Sequence, residues 1–180
     1  MILTDNKAWA QKSSYLSTQA KDTPVEYIHS TIGYNYHLNN LQAAMGCAQM
    51  ELLDEFIAAK HRIAATYDQA FADIPGLTPM RKAPWASSTS WLYTLLVDPS
   101  RYGHDSRQLL QQLQAAHIEA RPLWQPLHRS PAHRHSWPNH SLPVADRLHQ
   151  QALCLPCSVG LTQNDQERVI NCILGFSAHR

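Results

Sequence analysis

Apolar side chains recur at helical spacing between residues 38 and 74, and no other feature constrains the fold as strongly. Leu38, Leu41, Met45, Leu52, Phe56, Ile63, Tyr67, Ala70 and Ile74 stand three or four residues apart, or at sums of those steps. This periodicity predicts one long helix, straight or bent, or two helices with a break. Pro75-Gly76 ends it, because proline cannot continue the helix ladder and glycine accepts a left-handed turn. A stripe of that size needs a surface to cover it.

Shorter elements flank this stretch. Residues 5–20 read as a helix, with Ala8, Trp9, Lys12, Leu16 and Ala20 on one side and Asp5 as its cap. Met1-Ile2-Leu3-Thr4 reads as the end of a strand, an odd way for a chain to begin. Residues 21–31 are polar, contain Pro24 and read as a loop. After Gly76, a segment rich in Pro and Ser leads to WLYTLLV at 91–97, a strand closed by Asp98-Pro99. A helix is expected over 106–116, with Leu109, Leu110 and Leu113 on its apolar face, and a strand over 118–123. An irregular stretch follows over 125–143. Then come a helix over 142–152, a short strand over 153–156, and a last helix after Thr162. Thr162 with Asp165 approaches a capping box. Strands separated by helices predict a small α/β sandwich with its helices on one side of a sheet.

Composition narrows the function classes. The 180 residues carry a net charge of +1, which gives no electrostatic case for nucleic acid or an anionic membrane. No apolar run approaches the roughly 20 residues that span a bilayer. The first residues lack the basic start and apolar core of a secretory leader, so a cytoplasmic location is expected, with the four cysteines as thiols. Four of the eleven histidines, His128, His133, His135 and His140, crowd one Pro-broken stretch. No thiolate or carboxylate lies among them, so no metal site is expected. Cys154-Leu155-Pro156-Cys157 is a lone C-x-x-C, weak evidence for redox or zinc chemistry.

The stretch 33–44, GYNYHLNNLQAA, is a polar, aromatic loop running into the long helix. Gly33 allows an unusual backbone angle or a close backbone approach. Asn39 or Asn40 can cap the helix, and Asn35 offers a neutral amide donor suited to a phosphate oxygen or to a turn.

This stretch resembles the GYNYRL-x-N-x-QAA segment of the DegT/DnrJ/EryC1/StrS family of pyridoxal phosphate-dependent sugar aminotransferases. YLSTQAKD at 15–22, QMELLDEF at 49–56, SWLYT at 90–94, EARPLWQPLH at 119–128 and ALCLP at 152–156 follow the family's order. The STQA and RPLW segments look most like the branch that aminates C4 of a nucleotide-linked 4-keto-6-deoxy-N-acetylhexosamine. The resemblance implies the C-terminal part of the aspartate aminotransferase-like, type I fold. Residues 1–50 would be a remnant of the large cofactor-binding domain, 51–76 a connecting helix, and 77–180 the small α/β domain.

Residue roles are carried over from the resemblance. Asn35 would reach across a homodimer to the phosphate of pyridoxal phosphate in the other subunit. Tyr34, His37, Arg121, Trp124 and His128 would line the substrate pocket. His37 stands where arginine is usual, and Gln125 where lysine is common, so two positive charges are missing. The lysine that holds the cofactor lies, in the family, before the point where this chain begins. Lys7, Lys12, Lys21, Lys60 and Lys82 all read as solvated side chains. The expectation is therefore half of an enzyme that moves an amino group from glutamate to a nucleotide sugar for surface polysaccharide or glycan biosynthesis. The isolated chain would lack activity, unless a separate N-terminal half restores the site. The alternative is a non-catalytic nucleotide-sugar-binding or dimerisation module.

Overall fold

The computed structural model describes residues 2–133 and 141–177. The chain divides into two compact units, Met1–Leu52 and Leu53–Arg180. No helix among the described residues is long and apolar enough to cross a membrane.

In the first unit, helix α1 spans Lys7–Ser17. Its cap is Asn6 rather than the expected Asp5: the helix starts one residue later, and Asn6 Oδ1 accepts from the amides of Ala8 and Trp9. Residues 2–4 form no strand, because no partner strand among the described residues lies beside them. Gln19 and Ala20 turn the chain with positive φ, and Ala20 is fully buried. The loop 33–36 then returns against the end of α1. Tyr34 N donates to Leu16 O at 2.7 Å, Gln19 N to Tyr34 O at 3.0 Å, and Tyr36 N to Ser17 O at 3.0 Å. Gly33 lies directly on this turn. A Cβ there would sit 2.3 Å from Ala20 N, so close approach is what requires glycine. Asp22 ties the intervening loop together, accepting from Tyr15 Oη at 2.5 Å and from the amide and hydroxyl of Ser30. The Tyr15 hydroxyl first, then Ser30, holds its carboxyl below the usual carboxylate range. Helix α2 spans Asn40–Glu51 and is capped by Asn39, whose side chain forms a capping box with Gln42.

The long periodic stretch is two helices. The second, α3, spans Leu53–Phe71, and Leu52 between them leaves helical geometry at φ −103°, ψ 4°. Neither proline nor glycine marks this break. Helix α3 belongs to the second unit, where its buried stripe is Ile63, Ala64, Tyr67 and Phe71.

That unit contains strands β1 (Leu77–Pro79), β2 (Tyr93–Val97), β3 (Arg121–Pro122) and β4 (Ala152–Leu155), in sheet order β1-β2-β4-β3, all antiparallel. Its other helices are α4 (Pro99–Tyr102), α5 (Ser106–Ala115), α6 (Pro143–Gln151) and α7 (Gln163–Phe176). Register puts Tyr93 opposite Leu155 and Leu95 opposite Leu153. These four side chains and Val97 pack with Ile63, Tyr67 and Phe71 of α3, Leu109 and Leu113 of α5, and Val169, Ile170 and Ile173 of α7 in one core. The sandwich read from the sequence is present.

Two strands are shorter than expected. The 118–123 segment pairs only at Arg121–Pro122. His117 adopts φ +54°, and Ile118 and Ala120 turn into the core. Pro122 lacks an N–H, and β3 is an edge strand, where that is tolerated. Strand β2 begins at Tyr93 because Ser90 has φ +51° and Trp91 O is taken by side chains. At α7, Thr162 Oγ1 accepts from Asp165 N as expected. The Asp165 carboxylate, however, takes the Thr162 hydroxyl and not its backbone amide.

Candidate functional site

The second unit contains a cavity of about 730 Å³ between its sheet edge, Lys60 of α3 and the start of α7. Strands β3 and β4 supply one wall through Arg121, Pro122, Cys154 and Leu155. Trp91 and Trp124 stand at this cavity with ring planes 20° apart and centroids separated by 6.4 Å. They are 66% and 64% exposed, so they present flat apolar faces to whatever enters.

The cations around the cavity are partly engaged. Arg121 directs Nε and Nη2 at Glu119 Oε1, at 3.2 and 2.5 Å. Both side chains are exposed, so the pair is weak and solvent competes for it. Arg168 donates to Ala116 O. Lys60 Nζ donates to Cys157 O at 2.5 Å and Trp91 O at 2.9 Å. The arrangement suits a ligand with a flat or apolar part and a negatively charged group.

The six proposed residues fall in three places. Arg121 and Trp124 share the cavity. His128 does not line it. It lies in a 3-10 turn, Leu127–Arg129, with its side chain 6% exposed and Nε2 3.0 Å from Asp146 Oδ1. A carboxylate only accepts, so Nε2 carries the hydrogen of this bond. Arg129 grips the same carboxylate through Nε at 2.9 Å and Nη2 at 2.6 Å. Tyr34, Asn35 and His37 belong to the first unit. Tyr34 stacks on Tyr36 with centroids 5.2 Å apart, and Asn35 pairs through its backbone with Thr18. Among the described residues nothing takes the Asn35 amide, and both Asn35 and His37 are exposed.

Sequence reasoning missed three participants, Lys60, Trp91 and Asp146, and misread Lys21 elsewhere. Lys60 and Lys21 are not freely solvated: Lys60 is half-buried as above, and Lys21 donates to Pro24 O and lies over the Tyr27 ring. The signal for Lys60 was available, since it precedes Ile63, Ala64 and Tyr67 by three, four and seven residues on the core stripe. Trp91 was read as a strand residue, and Asp146 carried no local mark as the partner of His128. Among the described residues no three potential ligands gather for a metal. His135 and His140 of the histidine cluster lie outside the described residues.

Asp146 gives a testable acid dependence. The Arg129 fork first, and His128 after it, hold its carboxyl down to about 2. A folded-state value below that of the unfolded chain stabilises the fold above about pH 4, and the benefit is lost as pH falls toward about 2. Urea midpoints should therefore decline through that window. In Asp146→Asn the part of the decline due to this carboxylate should vanish; an unchanged profile would show that the cluster contributes nothing.

EpsN of Bacillus subtilis (strain 168), provisionally named a pyridoxal phosphate-dependent aminotransferase, is 34% identical over 97% of this chain and 45% of its own length. GDP-perosamine synthase of Caulobacter vibrioides is 33% identical over 94% of this chain and 46% of its own. The solved structure of DesV from S. venezuelae matches with a TM-score of 0.84 at 26% identity, covering 99% of this chain and 46% of that one. The fold is that of the type I class expected from the sequence. The chain spans about half the length of the curated relatives it matches. The model of the DegT/DnrJ/EryC1/StrS aminotransferase family matches residues 1–174, and the chain belongs to that family.

Proposed function

We propose that this chain is the C-terminal part of a pyridoxal phosphate-dependent aminotransferase that moves an amino group from glutamate to a nucleotide-linked 4-keto-6-deoxy sugar. The observation that carries this reading is the family match over residues 1–174, joined to a GYN loop held in place with the Asn35 side-chain amide unclaimed among the described residues. GDP-perosamine synthase among the relatives supports a nucleotide-sugar substrate.

The residues of this chain do not fit the whole cofactor. Asn35 offers one donor for a phosphate. Lys60, the lysine at the cavity, has its ammonium committed to two carbonyls, and Lys7, Lys12 and Lys82 are exposed. No step of the reaction is therefore assigned to these residues. Their proposed roles are to hold and orient: Asn35 on the cofactor phosphate of a partner subunit, Arg121 on the substrate's diphosphate, and Trp124 against its flat or apolar part. Tyr34, His37 and His128 are proposed as further substrate contacts. The exposed pair Trp91 and Trp124 also suits a second reading, nucleotide-sugar binding without chemistry.

Incubation with pyridoxal phosphate, borohydride reduction and intact mass measurement test the first reading. The expected result is no stoichiometric adduct on one lysine of the chain alone. Amination of a nucleotide-linked 4-keto sugar should follow only when an N-terminal half from a relative such as EpsN is added. A stoichiometric adduct on Lys60 or another lysine would overturn the half-enzyme reading. Nucleotide-sugar binding with no activity on mixing would favour the second.

A further inference from the structure

Lys60 and Cys157 meet at the cavity wall although 97 residues separate them. Nζ lies 3.8 Å from Cys157 Sγ. The two groups share an acceptor: Trp91 O takes a hydrogen bond from Nζ at 2.9 Å and from the thiol at 3.4 Å. The carbonyl of Cys157 itself takes a third bond from Nζ at 2.5 Å. A long, flexible side chain is thus held with its nitrogen beside one sulfur. Cys157 is 7% exposed, and its surroundings open to the cavity, which admits small oxidants. Cys154 lines the same cavity, but its sulfur lies 3.7 Å from Thr94 Oγ1, and no amine among the described residues is bonded to it.

We propose that Lys60 and Cys157 form a redox modification site, which takes hydrogen peroxide as oxidant and closes a covalent N–O–S bridge between Nζ and Sγ. One peroxide oxygenates the thiol: an S–O bond forms, the O–O bond breaks, and water leaves, giving the sulfenic acid. The ammonium releases a proton to solvent. A second peroxide then converts the amine to the hydroxylamine, again with loss of water. The hydroxylamine oxygen attacks the sulfenic sulfur, the S–OH bond breaks, and a third water leaves. Sulfur and nitrogen each lose two electrons, and the two peroxides accept all four. A bridge through oxygen spans more distance than a direct S–N bond, so Nζ moves less from its two carbonyls. Closing the bridge removes a positive charge from the cavity wall and pins α3 to the segment after β4. A thiol reductant reopens it. The site does not depend on which reaction the family member performs.

The full chain, treated with graded hydrogen peroxide and digested without reductant, tests the proposal by mass spectrometry. The expected product joins the peptides containing Lys60 and Cys157 with a gain of about 14 Da, one oxygen in and two hydrogens out. Dithiothreitol should remove it. Cys154→Ser should still form it, whereas Cys157→Ser and Lys60→Arg should not. The wild-type map decides the matter even if a variant folds poorly. Cys157 gaining about 32 Da as the sulfinic acid with Lys60 unmodified would overturn the proposal. So would a Cys154–Cys157 disulfide in place of the linked peptides.

Discussion

A chain carrying Gly76→Val is expected to lose the cooperative unfolding transition of its second unit. Gly76 sits at φ +81°, in the turn between α3 and β1. A Cβ added there would lie 2.4 Å from Tyr102 N and 2.8 Å from both Asp98 O and Tyr102 Cβ. Two of these atoms are backbone, and neither can yield cheaply. Gly76 O accepts from Asp98 N at 2.8 Å, and Asp98 O accepts from Tyr102 N at 2.9 Å. Relief of the clash would break the turn that seats α4 and its fully buried Tyr102. The positive φ alone costs about 1–3 kcal/mol for a residue with a side chain. With the clash added, the loss is a large part of the roughly 5–15 kcal/mol that holds a typical domain together. Urea unfolding followed by circular dichroism should show a shallow, early transition. Gly175→Ala, where the new Cβ meets nothing within 4 Å, should leave the midpoint nearly unchanged. A wild-type transition in Gly76→Val would disprove the account.

The same turn shows why some features were legible in the sequence. Pro75-Gly76 announces itself through backbone chemistry that no partner is needed to reveal. The stripe Ile63, Tyr67 and the alternation Tyr93, Leu95, Val97 were equally readable, because burial imposes the period of each element on its own residues. Features set by distant partners were not. The segment 118–123 has the composition of a strand, yet its first half fills the core once His117 turns left-handed. Leu52 interrupts a continuous helical pattern with no breaker residue. Asp146 holds His128 and Arg129 from 18 and 17 residues away. Lys60 was misread because a charged side chain suggests solvent, although its position on α3 points to the core. In the candidate site, resemblance supplied Arg121 and Trp124, and only the fold placed Trp91, Lys60 and Cys157 around the same cavity.

Tyr67→Ala is expected to destabilise the second unit by about 3–5 kcal/mol, the range for removing a large buried aromatic. The ring is fully buried, stacked on Phe71 with centroids 5.8 Å apart and tilted against Tyr93 at 4.7 Å. Three aromatic side chains thus fill the space between α3 and the sheet, and deletion of the middle one leaves a cavity that its stiff neighbours cannot close. The hydroxyl makes a separate contribution. It donates to Pro156 O at 2.9 Å, and burial first, then Cys157, raises its pKa, so it remains a donor at neutral pH. Tyr67→Phe keeps the ring and removes only that bond, so its cost should be about 1 kcal/mol. The raised pKa also sets a sign: the protonated hydroxyl contributes below the unfolded value of about 10, and its benefit is lost as pH rises beyond it. Wild type should therefore lose stability faster than Tyr67→Phe in strongly alkaline solution. Pro156 and Cys157 both line the cavity, so the lost bond also loosens the wall that carries the thiol. Tyr67→Phe should thus expose Cys157 to thiol reagents sooner than wild type while the global midpoint moves little. Equal labelling rates in the two proteins would show that Pro156 is held by its neighbours alone.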